Sequence, residues 1–198
     1  MSVRSEIPNY NGVYFITVTN SHWLNLFEIS QSYFTVYKWF DFLKCMGHFI
    51  IGYVIMPNHL HTLIAFRNTQ GQSINSIVGN GKRFMSYEIV MRLKEQKNEI
   101  VLKQLECFVD VTARRKGKLH DVFEPSFDWK DCLSEKFITQ KLDYIHTNPC
   151  TGKWQLALHP CDYLHSSAQF YFTGHQGIYE VMNYKMLEDI DLTKPLLK

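Results

Sequence analysis

At 198 residues, with 45% hydrophobic and 15% aromatic content, the chain is long enough to bury one sizeable core and short for two independent ones. A net charge of +2 argues against a binder of anionic polymers by bulk charge, so any such partner must be met by local basic clusters. Five scattered cysteines, Cys45, Cys107, Cys132, Cys150 and Cys161, form no CxxC pair and suit neither a disulfide framework nor a structural zinc site. No run approaches the roughly 18 consecutive apolar residues of a membrane span. The N-terminal MSVRSEIPNYNG lacks the apolar core of a secretory signal, so a soluble, cytoplasmic protein of one domain over residues 1–198 is expected.

In chain order, GVYFITVTN (12–20) alternates β-branched and aromatic residues and predicts a strand. Residues 30–46 carry apolar side chains at near-helical spacing behind Ser30 or Ser32 as a cap. HFIIGYVIM and HLHTLIAF are short apolar runs on either side of Pro57-Asn58, which reads as two central strands joined by a tight turn. Residues 73–95 look helical, with a kink or break expected at Gly79-Asn80-Gly81 because each glycine costs about 1 kcal/mol relative to alanine. Residues 96–120 are polar and read as a turn between short extended segments. They hold the densest basic cluster, Arg114, Arg115, Lys116 and Lys118, which suits a solvated hairpin as well as a contact to nucleic acid.

From Ser134, residues Phe137, Ile138, Lys141, Leu142, Ile145 and His146 follow at spacings of three and four. They predict an amphipathic helix to about Thr147 that stops before Pro149. Beyond Thr151 the chain is aromatic and loop-rich, with a short helix near residues 178–187. The order strand, helix, strand, strand, helix, late helix implies an α+β fold: an antiparallel-sheet, split βαβ (ferredoxin-like) sandwich with helices packed on the sheet and an irregular C-terminal tail.

Two constellations could carry chemistry. In His59-Leu60-His61 the strand period places both imidazoles on one face, within reach of one cation. HxH alone is weak, since histidines near a turn more often serve surface or core. Tyr144 and Asn148, four apart on the late helix, share a face. Tyr144 is either a nucleophile able to store a phosphodiester as phosphotyrosine or a core tyrosine, with Asn148 ending the helix.

The segments GVYFITVT, GYVIMPNHLHTLIAF, SEKFITQKLDYIHTNPC and DYLHSSAQFYF together resemble the single-tyrosine HUH transposases of the insertion-sequence-200 type. PNHLH combined with DYIHTNP looks most like the REP-associated tyrosine transposases. The resemblance covers a core of about 10–172, leaving an extension of about 173–198. It implies Tyr144 as nucleophile, His59, His61 and Asn148 as ligands of Mg²⁺ or Mn²⁺, and cleavage and rejoining of single-stranded or hairpin DNA through a 5′-phosphotyrosine. Lys82, Arg83, Arg114, Arg115, Lys116 and Lys118 are then candidates for phosphate contacts, and Phe127 and Trp129 for base stacking. Relatives occur as homodimers and as monomers. The competing readings are a catalytically retired, transposase-derived DNA-binding protein and a metal enzyme that activates water at HxH. Tyr144 has no use in either. The chain departs from the pattern in following Asn148-Pro149 with Cys150-Thr151-Gly152-Lys153, and in the glycines before Lys82-Arg83.

Overall fold

The computed structural model describes residues 10–68 and 71–192, so most of the N-terminal stretch read for a signal, and the last residues of the extension, lie outside it. Strand β1 (Gly12–Thr19) leads through a 3₁₀ turn (Ser21–Trp23) and the short α1 (Leu26–Ile29) into α2 (Phe34–Cys45). Strands β2 (Phe49–Met56) and β3 (His59–Phe66) form the expected hairpin across Pro57-Asn58. Then come α3 (Ile74–Glu95), α4 (Glu99–Cys107), α5 (Val111–Arg115), β4 (Asp128–Asp131), α6 (Glu135–Thr147) and α7 (Ala168–Thr173). The sheet runs β2-β3-β1-β4, antiparallel throughout, which is the split βαβ order predicted from the alternation of elements.

Both faces of the sheet are covered, so the central strand β3 is buried end to end, and β1 at all but its two ends, rather than on alternate residues. Tyr14, Ile16 and Val18 of β1 face α2 and α3, joined there by Leu60 and Ile64 of β3. Val13 and Phe15 face the other way with Leu63 and Ala65, against Ile138, Leu142 and Ile145 of α6. Burying side chains of this size contributes about 1.5–3 kcal/mol each, and that burial holds the two helical layers on the sheet. Strand β2, expected like β3 to be central, is instead an edge of the sheet, and its apolar run reflects cover by the late chain: His165 O accepts from Ile55 N, Ser167 N donates to Tyr53 O and Met182 N donates to Ile50 O. The C-terminal extension is therefore irregular but packed, with Tyr179 and Val181 buried and a 3₁₀ turn at Tyr184–Asp189 instead of the helix expected a little earlier.

Three further expectations are corrected. First, α3 runs unbroken through Gly79-Asn80-Gly81. Gly81 belongs to the buried stripe Ile74, Ile77, Val78, Gly81, Met85, Ile89, Leu93, and the Trp39 indole of α2 sits where a Cβ would be, 2.4 Å from its Nε1. The glycine is a seat for tryptophan, not a break. Second, residues 96–120 hold two short helices where extended segments were expected. Asn98 caps α4, which buries Val101, Leu102 and Leu105, and Asp110 caps α5. Third, neither Ser30 nor Ser32 caps α2 through its side chain: Ser30 Oγ donates to Leu26 O and lies 2.7 Å from Ser32 Oγ instead.

Candidate active site

The β2–β3 turn is pinned by backbone bonds from Phe27 N to Pro57 O (3.0 Å) and from Asn20 N to Asn58 O (2.9 Å). It delivers His59 and His61 opposite Thr19 and Thr17 of β1, on the sheet face that α6 covers. Both rings are buried, and their centroids lie 4.6 Å apart. Asn58 Nδ2 donates to Trp23 O (3.1 Å), which orients the amide so that its Oδ1 meets His59 Nδ1 at 2.6 Å. An amide oxygen only accepts, so His59 Nδ1 carries the proton and Nε2 keeps its lone pair. His61 Nδ1 lies 2.8 Å from Thr17 Oγ1, which likewise leaves Nε2 as the outward nitrogen.

Burial, reinforced by the Lys153 charge, pushes His59 down to about 4. Burial also holds His61 well below its ordinary value, with the charges of His59 and Lys141 acting in the same direction. Both rings are neutral at pH 7, the form that binds a metal ion.

Helix α6 brings the third element. Ser134 caps it by accepting from Phe137 N, and Ile138, Leu142 and Ile145 seat it on the sheet. Leu142 Cδ2 occupies the space a side chain at Gly52 would need, 2.5 Å from such a Cβ, so strand and helix approach closely there. His146 Nε2 lies 3.0 Å from Ser167 Oγ and ties the helix to the segment along β2. Tyr144 is thereby left 47% exposed at the rim, its ring edge-on to His61 with centroids 5.1 Å apart and also against Phe15. The Lys141 ammonium lies over the Phe15, Phe137 and Tyr144 rings, at 4.7, 5.2 and 5.7 Å from their centroids.

Asn148 is the C-terminal cap of α6, one turn beyond Tyr144, with its backbone N–H on Tyr144 O. Its side-chain Oδ1 is buried without a hydrogen-bond partner. An orphaned buried carbonyl oxygen, one turn along the helix from the nucleophile candidate, fits a group that completes its bonding on a cation. Among the described residues no cluster of three or more His, Cys, Asp or Glu side chains gathers. Two imidazoles and one amide make an open donor set, suited to an exchangeable divalent ion with water and substrate oxygens, and not to a closed zinc cage.

The predicted residues thus divide. His59, His61 and Tyr144 converge, with Asn148 one turn along the same helix. The six cations lie elsewhere, on α3, α5 and the turn after α5. Lys82, Arg83 and Lys118 border a groove of about 450 Å³ floored by Val90, Val122 and Phe123. Lys82 Nζ is engaged by the carbonyls of Glu124, Pro125 and Ser126, and burial pushes it down to about 8. It clamps a loop instead of projecting outward. Arg114 donates to Glu106 O and Lys118 pairs with Asp121, while Arg115 and Lys116 are exposed. Phe127 and Trp129 are partly buried against the core, Trp129 beside Tyr14. Thr17, Asn58, Lys141, Trp23 and Trp154 join the site although the sequence assigned none of them a role there. Only Asn58, adjacent to His59 in the turn, carries a local signal.

No family model and no curated protein matches the chain. Among solved structures it is similar to a REP-associated tyrosine transposase determined bound to a REP hairpin. The identity is 14% over 98% of this chain and 99% of that one, with a TM-score of 0.53. A second similar structure, described as a candidate transposase of Deinococcus radiodurans R1, is 17% identical over 72% of this chain and 94% of its own, with a TM-score of 0.42. The chain therefore shares, over nearly its whole length, the α+β fold of a REP-associated tyrosine transposase, as the resemblance of its segments implied.

Proposed function

We propose that the protein is a metal-dependent single-stranded DNA endonuclease and strand transferase that cleaves and rejoins DNA through a 5′-phosphotyrosine. The observation that supports this reading best is the meeting of Tyr144 with the His59–His61 pair, across more than eighty residues of chain and two elements. Neither a water-activating metal enzyme nor a retired binding protein needs a half-exposed tyrosine packed against such a pair.

Tyr144 Oη attacks the scissile phosphorus, its proton leaves to the solvent that reaches the rim, and the 3′-oxygen departs as a hydroxyl. The new ester conserves the energy of the broken one, so a later attack by a 3′-hydroxyl rejoins DNA without a nucleotide cofactor. His59 Nε2, His61 Nε2 and Asn148 Oδ1 would hold Mg²⁺ or Mn²⁺. When bound, the ion supplies Lewis-acid polarisation of the phosphate and offsets charge on its oxygens. Lys141, held over the Tyr144 ring, adds a fixed positive charge on the approach to the nucleophile. Hairpin DNA is the proposed substrate class, in line with the similar REP-associated tyrosine transposase, which was determined bound to a REP hairpin.

The decisive experiment incubates the protein with end-labelled hairpin DNA and Mn²⁺, beside Tyr144→Phe and His59→Ala. A protein-linked label is expected in the parent alone, with activity reduced about a thousandfold or more in Tyr144→Phe. Free cleavage that survives Tyr144→Phe would make water the nucleophile. Binding without any adduct would favour the retired DNA-binding protein.

A further inference from the structure

Two tryptophans flank the candidate metal site without any part in the chemistry above. Trp23 packs edge-on to His59 with centroids 5.9 Å apart, and Trp154 packs on the same imidazole at 6.1 Å. Trp23 leaves 58% of its surface in solvent. It is also carried on a strained backbone, since His22 and Trp23 both lie in the left-handed region, at φ of 53° and 57°. Non-glycine residues held there in succession are uncommon, and such strain persists only where surrounding contacts impose it. The contacts are present: His22 stacks on Phe108 at 3.8 Å, and the Trp23 carbonyl accepts from the same Asn58 that orients His59. Trp154 follows Gly152 at φ 63° and precedes Gln155 at φ 41°, and the Lys153 ammonium lies over its ring at 5.3 Å.

We infer that Trp23 is a stacking platform for an unpaired nucleobase beside the phosphate that His59 serves. The inference deepens the DNA-cleaving reading and rests on it for the identity of the ligand. Two observations commit the occupant to a nucleotide strand. The exposed Trp23 indole suits a planar aromatic group, and the Lys153 ammonium, held over the Trp154 ring on another side of His59, suits a phosphate. Within a duplex both faces of each base are covered by its neighbours, so only an unstacked base can lie on an exposed indole. The linkage through Asn58 also means that one side chain sets both the Trp23 turn and the His59 tautomer, coupling base position to metal-ligand geometry.

The test uses the full chain without metal, titrated with a short oligothymidylate while tryptophan emission is read. A strand of the same length with abasic sites serves as control. Quenching by oligothymidylate is expected, with binding of the abasic strand weaker by about fivefold to a hundredfold, and a loss of the same order for Trp23→Ala. Trp23→Phe keeps a π face and should retain most of the affinity while removing part of the quench. The inference is overturned if Trp23→Ala binds as tightly as the parent, if the abasic strand binds equally well, or if Trp23→Phe loses as much as Trp23→Ala. The assay involves neither cleavage nor metal, so its failure is distinct from the absence of a Tyr144 adduct.

Discussion

Asn58 fixes which nitrogen of His59 faces outward, through a donor bond to Trp23 O and an acceptor bond to His59 Nδ1. Outer-sphere partners of this kind typically govern metal affinity by about 10- to 100-fold. Asn58→Ala should therefore weaken Mn²⁺ binding by about that factor in calorimetric titration, with the fold retained by circular dichroism. Unchanged affinity would show that the tautomer is set elsewhere. At this scale the sequence is legible where a local period carries the information. His59 and His61 share a face because strand side chains alternate, and Tyr144 and Asn148 because a helix turns every 3.6 residues. Thr17 reaches His61 only through the cross-strand register, and Trp23 and Trp154 reach His59 through turns. Pairings of that kind leave no periodic trace. Trp129 escapes a sequence reading for the same reason: its place beside Tyr14 follows from the pairing of β4 with β1.

Two glycines of α3 separate the intrinsic cost of glycine from its use. A Cβ at Gly79 would point into open space, whereas at Gly81 the Trp39 indole leaves none. Gly79→Ala should stabilise the protein by about 0.5–1 kcal/mol through helix propensity and reduced unfolded-state entropy. Gly81→Ala should destabilise it by about 1–3 kcal/mol by driving α2 from α3. Urea melts of the two variants should move the midpoint in opposite directions, and equal shifts would refute the seat assigned to Trp39. Long periodic elements, β1 to β3, α3 and α6, are readable because burial repeats along them. The elements that escape are short. Helix α4 buries only Val101, Leu102 and Leu105, less than two turns of signal, and β4 is a four-residue edge strand with charged residues at both ends. A charged, brief edge is what discourages further strand pairing, so its sequence does not look like a strand.

Across the whole molecule the candidate nucleophile and metal ligands lie on the α6 face of the sheet, while the basic residues lie with α3 and α5. A strand gripped by both must pass around the sheet, and the cations then act by counterion release more than by contact with the reacting phosphate. Replacing Arg114, Arg115 and Lys116 together by glutamine should lower the salt-dependence slope of hairpin binding by about 2 to 3, and leave Mn²⁺ affinity unchanged. An unchanged slope would remove that cluster from the interface.

The fold also gathers neutral imidazoles. Burial lowers His48, His59 and His146 to about 4 and holds His61 well below its ordinary value. In the unfolded chain each titrates near 6.5, so between about 6.5 and 4 the unfolded state binds more protons than the folded one. Stability is therefore fully present above about pH 7 and falls as pH drops through that window. Thermal melts of the metal-free protein should show Tm declining steadily from pH 6.5 toward 4. Mn²⁺ should raise Tm at pH 7 and lose that effect toward pH 4, because only neutral imidazoles bind the ion. A Tm constant across the window would mean that these rings are not held neutral, which would undo the ligand geometry argued for His59 and His61.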